Sequence, residues 1–284
     1  AFPTASETIN VWNHSSITSI NLPFSQEYDA SPTCTAAAGN NPITCLGTGT
    51  GTLKVVEYVS APITIGGIPP AAGWIFTWSD FERSTTSTNL DLSSGPAQWL
   101  TLQAKMFNNA GANASPCYDS SPQFGNAIDA LFCNGSRKFQ LKVSDPDADS
   151  LVYSLVNPMG EHTATQPTYT TPSAVPYQAG FSASSPLPGP ALHPSNVVAA
   201  LDSETGHMTF TSQTQGTFGV AIKVEAYRCG ILISENIYEL PITIFACAGN
   251  NDPVVTATGL SGVGPIYYDT VFAGAIVNFD VAST

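Results

Sequence analysis

The residues best suited to chemistry sit in one stretch, Phe139 to Leu155, FQLKVSDPDADSLVYSL. Asp145, Asp147 and Asp149 alternate within a single short turn, Asp145-Pro146-Asp147-Ala148-Asp149-Ser150. Aspartate is poor in strands and good in turns, so this spacing gathers three carboxylates at the tip of a strand pair. Gathered carboxylates repel one another unless a cation neutralises them. An all-oxygen set suits Ca²⁺ better than Zn²⁺, which takes His and Cys. A solvated acidic turn is the alternative. The strands that must hold the turn are visible on either side: Phe139, Leu141 and Val143 alternate before it, and Leu151, Tyr153 and Leu155 after it.

Other chemistry is less well supplied. His14, His162, His193 and His207 stand in unlike contexts and no GxSxG occurs, so no hydrolytic triad is legible and the chain is expected not to be an enzyme. The six cysteines, Cys34, Cys45, Cys117, Cys133, Cys229 and Cys247, include no CxxC pair. An even number without metal-ligand spacing implies disulfides in an oxidising compartment. Cys34 and Cys45 flank the turn-rich TAAAGNNPIT, which a local bridge would close.

Composition narrows the class. Only 10% of the 284 residues are charged, against about 25% in typical globular chains. The net charge of -13 opposes nucleic-acid binding, since phosphate contacts need a basic surface. No apolar run approaches the ~20 residues that span a bilayer. Ala1 is expected to follow a removed signal peptide, which places the protein outside the cell or on its surface.

Alternating segments recur throughout, and no 3.6-residue period is sustained, so the expected fold is all-β: tandem antiparallel β-sandwiches stabilised by disulfides. Leu53 to Val59, Trp74 to Trp78 and Trp99 to Phe107 are strands of a first domain, residues 1–115. Trp74, Phe76 and Trp78 share one face, as core or as a sugar-stacking platform. The second domain, residues 116–247, holds the aspartate turn and an irregular excursion over 157–196. It also holds a hairpin turning at Gly206 and a buried strand along Phe218, Val220, Ile222 and Val224. FAGAIVNFDVAST from Phe272 echoes FCNGSRKFQLKVS from Phe132, so residues 248–284 are expected to be the first strands of a further similar domain. The repeat predicts an acidic residue just beyond Thr284.

The succession SSPQF, FCNGSRKF, DPDADSLVYSL, YQAGFS with SSPLPGP, LDSETGHMTFT and GTFGVAIKVEAYRCG, closing on Cys247, resembles a particular group of modules. They are the cadherin- or immunoglobulin-like modules of very large, type IX-secreted surface proteins of gliding bacteria, which end in a gliding-motility-associated C-terminal domain. The resemblance covers residues 70–247, and departs where Ala148 stands for the more usual Gly. It implies a non-catalytic adhesin or filament component whose partners are other domains of the same long chain, with surface glycans or cell-surface proteins as further partners. Asp149-Ser150-Leu151 and Asp269-Thr270-Val271 look like the short O-glycosylation sites of such bacteria. A carbohydrate-binding module using Trp74, Trp78, Tyr169, Tyr177 and Phe181 is the alternative.

If the second domain is a sandwich with strands alternating in direction, Cys117 pairs with Cys229 and Cys133 with Cys247. The same topology gathers Asp119, Asp145, Asp147, Asp149, Asp202 and Glu225 at the pole facing the first domain. A Ca²⁺ ion there would stiffen the joint.

Overall fold

The computed structural model describes residues 5–29, 54–81, 83, 86–114, 118–125 and 131–246, with strand segments at 254–256, 261–262, 267–268 and 280–282. In chain order the strands of the first 245 residues begin with β1 (Ser6–Trp12), β2 (Ser19–Asp29), β3 (Lys54–Tyr58), β4 (Trp74–Asp80) and β5 (Leu100–Met106). The short strands β6 (Gln123–Phe124), β7 (Leu131–Cys133), β8 (Gly135–Gln140) and β9 (Val143–Ser144) follow. The rest are β10 (Ser150–Val156), β11 (Val197–Leu201), β12 (His207–Ser212), β13 (Gly216–Arg228) and β14 (Ile231–Phe245). Among the described residues there is no α-helix, only 3₁₀ turns at Gly95–Gln98 and Asn109–Gly111. The fold is all-β, as the alternation requires.

A nine-stranded sheet runs in the order β10-β13-β14-β5-β4-β1-β2-β3, with β7 added to β14. Its spine is the β13–β14 hairpin, paired from Gly216↔Ile244 to Arg228↔Ile231. Cys229 and Gly230 close this hairpin with φ of 51° and 79°. Two left-handed residues in succession match the twist of the strands they join. The far edge of β14 is shared: β5 takes its start, Ser234 to Ile237, and β7 takes its end, Thr243 to Phe245, in parallel. Pro241 falls in the gap between these partners. A residue without an N–H is tolerated in a long inner strand there because the ladder has no claim on it.

A second sheet, β11-β12-β8, lies over one face of the first. Alternation sends Phe218, Val220, Ile222 and Val224 into the space between, each at most 1% exposed, against Leu240, Ile242 and Ile244 of β14. Met208 and Phe210 of β12, with Leu141 and partly buried Phe139, close the core from the other side. The hairpin between β11 and β12 turns where expected: Gly206 has φ of 68°, and a Cβ there would stand 3.0 Å from the Tyr153 ring. The strands flanking the aspartates do not pair with each other. β8 joins β12 and β10 joins β13, so the acidic turn crosses from one sheet to the other instead of capping a strand pair.

The excursion over 157–196 makes only isolated bridges such as Thr101↔Met159 and Leu90↔Tyr177; its first part lies against the other face of the large sheet, where Gln103 bonds Tyr169, and farther along Phe181 and Leu187 join the core between the sheets. The chain divides into a compact unit of Ala1–Phe245 and a second of Ala246–Thr284. The expected boundary at 115/116 is therefore corrected. β5 hydrogen-bonds to β14, so the strands assigned to a first domain extend the sheet of the second. In the second unit β15 (Val254–Thr256) pairs with β18 (Asp280–Ala282), and β16 (Ser261–Gly262) with β17 (Tyr267–Tyr268). Because one sheet spans the expected boundary, the piece 1–245 should unfold in urea in a single cooperative step. A piece starting at 116 should lack a cooperative transition by circular dichroism. Two separable transitions in 1–245 would show independent domains.

Candidate functional site

The aspartate turn is built by its own backbone. Asp145 accepts hydrogen bonds from the N–H groups of Asp147 (2.9 Å) and Asp149 (3.2 Å), and the Ala148 N–H reaches the Asp145 carbonyl (3.2 Å). Ala148 adopts φ of 60° to close the loop, the conformation that the Gly of the resembled modules would take more easily. The turn is thereby folded so that Asp147 and Asp149 face the segment linking β5 to β6. In that segment Asn113 fixes the Asp119 N–H (2.9 Å), and the Ser120 N–H donates to Asp147 (2.5 Å).

Arg228, at the end of β13, enters the same cluster. Its guanidinium donates to both oxygens of Asp149, Nε at 2.9 Å and Nη2 at 2.7 Å. This two-pronged geometry is the strong form of a charge-assisted pair. Nη2 also stands 3.4 Å from Asp147 and 3.9 Å from Asp119. The hydrogen bonds to Asp149 raise the guanidinium further above its ordinary value, with the charges of Asp147 and Asp119 adding to the effect.

Asp119 is the unusual member. Its side chain is 0% exposed, and neither oxygen has a hydrogen-bond partner. Burial pushes its carboxyl up to about 6, and the negative Asp145 and Asp149 push the same way. Ser234 opposes this, though its hydroxyl stops short of hydrogen-bond geometry, as does the charge of Arg228. One oxygen of Asp145 is likewise buried and unpartnered. Carboxylate oxygens of Asp119, Asp147 and Asp149 lie within 4.8 Å of one another.

Three of the six expected ligands thus converge, Asp145 organises the turn that carries two of them, and the remaining two lie elsewhere. Asp202 accepts from the N–H groups of Glu204 and Thr205 and caps its own hairpin turn, and these bonds hold its carboxyl below the ordinary value. Glu225 pairs with Lys223 at 2.8 Å. The pleat explains the miss: Val224 faces the core, so Lys223 and Glu225 point to the other face, where Lys105 and Glu235 continue a cross-strand row of charges. The cluster also lies inside one compact unit and not at a joint between two domains. Arg228, which the sequence offers as an ion-pair partner for Glu225, is instead the partner of Asp149. The signal for this was its place beside the hairpin turn, at the pole where the acids were expected.

The cysteines divide. Cys133 is disulfide-bonded. Cys229 is an exposed free thiol, which corrects its expected bridge to Cys117. Its position in the two-residue hairpin turn carries the side chain outward. Cys34, Cys45, Cys117 and Cys247 lie outside the described residues, as do the second glycosylation motif and the Phe272 repeat.

A second set of buried polar groups fastens irregular segments to the large sheet. Arg83, 5% exposed, donates to the carbonyls of Ala97, Trp99 and Met159 and is paired with Glu239 of β14. Burial raises the Glu239 carboxyl while Arg83 draws it down. Asn89, 0% exposed, bonds both backbone groups of Gly219 and the Pro186 carbonyl. It thereby takes the place of a strand on the edge of β13 beyond the last β10 pair, Val156↔Ala221. A Cβ at Gly219 would stand 2.8 Å from the tip of the Leu90 side chain, which would have to shift to admit it.

The histidines are occupied structurally. His162, its imidazole held below the usual value by burial, packs 4.9 Å from Trp12 and contacts the Thr170 carbonyl. His14 contacts the Gly66 carbonyl, and His207 the Thr205 hydroxyl. Of the expected sugar-stacking rings, Trp74 is buried, and Trp78, Tyr169, Tyr177 and Phe181 are half-buried. The Trp78 indole donates to Glu7, and Phe181 packs on Phe218.

In comparisons with known proteins the chain matches no family model, no curated protein and no solved structure.

Arg83→Ala leaves Glu239 buried and unpaired, and should lower the stability measured by urea unfolding by about 3–5 kcal/mol. For Asp119, a folded-state value of about 6 against the ordinary 3.8 means that the unfolded chain releases its proton first as pH rises. This group's contribution is therefore complete below 3.8 and is lost as pH rises through about 6. Asp119→Asn should remove that decline from the urea midpoint measured across the same range, whereas an unchanged pH profile would place the decline elsewhere.

Proposed function

We propose that the protein is a non-catalytic structural and adhesive module of a secreted or cell-surface protein. The observation that carries this reading is the use made of its buried polar side chains. Arg83, Asn89, Thr101, Gln103, Asn196 and Asn236 each hydrogen-bond a separate segment of chain, and so tie irregular segments to the strands or to one another. Such fastening suits a body that must keep its shape under load. The bonded Cys133 supports an oxidising compartment, and the motif succession supports a place in a long, type IX-exported chain of gliding bacteria.

The carbohydrate-binding alternative needs exposed ring faces, and the five rings it relied on are buried or half-buried. A recess of about 260 Å³ does open beside Phe76, Trp78, Leu102 and Tyr238, but its lining is mostly apolar and lacks the dense polar fringe that hydroxyl-rich ligands need.

Protease shaving of intact cells of the source organism, followed by immunoblotting, tests the reading. Fragments of this chain should be released while a cytosolic control stays intact, and retention in the soluble lysate would overturn the proposal. Screening the chain on a glycan array separates the alternative, which predicts saturable binding lost in Trp78→Ala.

A further inference from the structure

We propose that Asp119, Asp147 and Asp149 form a binding site for a divalent cation of the hard, oxygen-seeking kind, with Ca²⁺ as the fitting ion. In this reading the ion ties the β5–β6 connection to the turn between β9 and β10. Two independent observations carry it.

The first is convergence at the right scale. One oxygen from each of the three carboxylates lies within 4.8 Å of the others. Oxygens that share a Ca²⁺ ion sit about 2.3–2.6 Å from it, and are therefore separated by no more than about 5 Å. The donors are all oxygen, with no His or described Cys among them, which disfavours Zn²⁺.

The second is the state of Asp119. Its carboxylate is enclosed, aimed into the cluster, and without a hydrogen bond at either oxygen. An enclosed, unpaired carboxylate is costly, and a fold keeps one where something compensates it. Arg228 compensates only part. Its fork is committed to the two oxygens of Asp149, and it stands 3.9 Å from Asp119, beyond hydrogen-bond reach. Asp119, Asp145, Asp147 and Asp149 bring four negative charges against this one positive charge. A divalent ion beside the guanidinium would offset most of the remainder and give the orphaned Asp119 oxygens a ligand role. Asp147, 29% exposed, supplies the side from which the ion enters.

Binding of the ion does not depend on the protein's location. Its use as a permanent brace does rest on the extracellular reading, because modules outside cells work with affinities of about 0.1–1 mM, matched to the calcium around them.

The test uses the full 284-residue chain stripped with a chelator. Thermal melting is followed in calcium, in magnesium and without metal, with terbium luminescence as a direct binding readout. Calcium at about 10 mM should raise the melting temperature by about 5 °C, with a smaller rise in magnesium. Asp119→Asn should melt at or above the wild-type temperature without metal, since an unpaired buried charge is gone, and should lose the calcium rise and the terbium signal. Asp147→Asn, altered on the exposed side, should weaken binding at least tenfold and decides the question if Asp119→Asn does not fold. The proposal is overturned by a wild-type melt that ignores calcium, or by an equal calcium rise in the variants. A flat wild-type response with a more stable Asp119→Asn would mean that Asp119 is a tolerated buried charge only. None of these outcomes alters the shaving result, so the two readings fail separately.

Discussion

The structure depends on how the two edges of β14 are used. One edge is paired with β13 over the whole hairpin, and the other is divided between β5 and β7. A strand so enclosed must be apolar toward the core and must find a partner for every backbone group. Leu240, Ile242 and Ile244 meet the first demand. Where β5 has ended and β7 has not begun, Pro241 removes one donor, and Glu239 reaches out to Arg83, which in turn collects the carbonyls of the irregular cover. The 157–196 excursion, strand-poor as it is, is held here through the Met159 carbonyl and elsewhere by Thr101, Gln103 and Asn89.

Charge is scarce in this protein and is used locally. Of its eight lysines and arginines, Arg83 and Arg228 each bind several acceptors, Arg137 fastens the turn between β7 and β8, and Lys105 and Lys223 sit in the row shared with Glu235 and Glu225. Few positive groups remain to attract polyanions, in keeping with the net charge of -13. The acids outnumber their partners, and the excess is most concentrated around Asp119. Arg228 answers Asp149 there but cannot serve four carboxylates at once, because the two-pronged fork of one guanidinium matches one carboxylate at a time.

How much of this was legible in the chain varies with the range of the interaction. The strand along Phe218 to Val224, the turn at Gly206 and the all-β class follow from local alternation and from the one residue that takes positive φ without strain. The aspartate turn was equally local, since Asp145 organises it with bonds to its second and fourth neighbours. The boundary at 115/116 was misplaced because a Pro- and Ser-bearing loop looks the same between domains as between two strands of one sheet. Only the pairing of Gln103–Met106 with Ser234–Ile237 distinguishes the two cases, across more than a hundred residues.

The sequence by itself determined which residues alternate, where the chain must turn, and that three aspartates stand at one turn, because these are properties of neighbours along the backbone. Which of the six acids meet was decided by the tertiary structure. The pleat turned Glu225 away toward Lys223, the hairpin kept Asp202 for its own cap, and Arg228 arrived from the end of a strand paired elsewhere. The same structure left Cys229 free in a two-residue turn and enclosed Asp119 without a hydrogen bond. Burial and charge pairing are set by what packs from distant parts of the chain, and no local pattern of residue types records that.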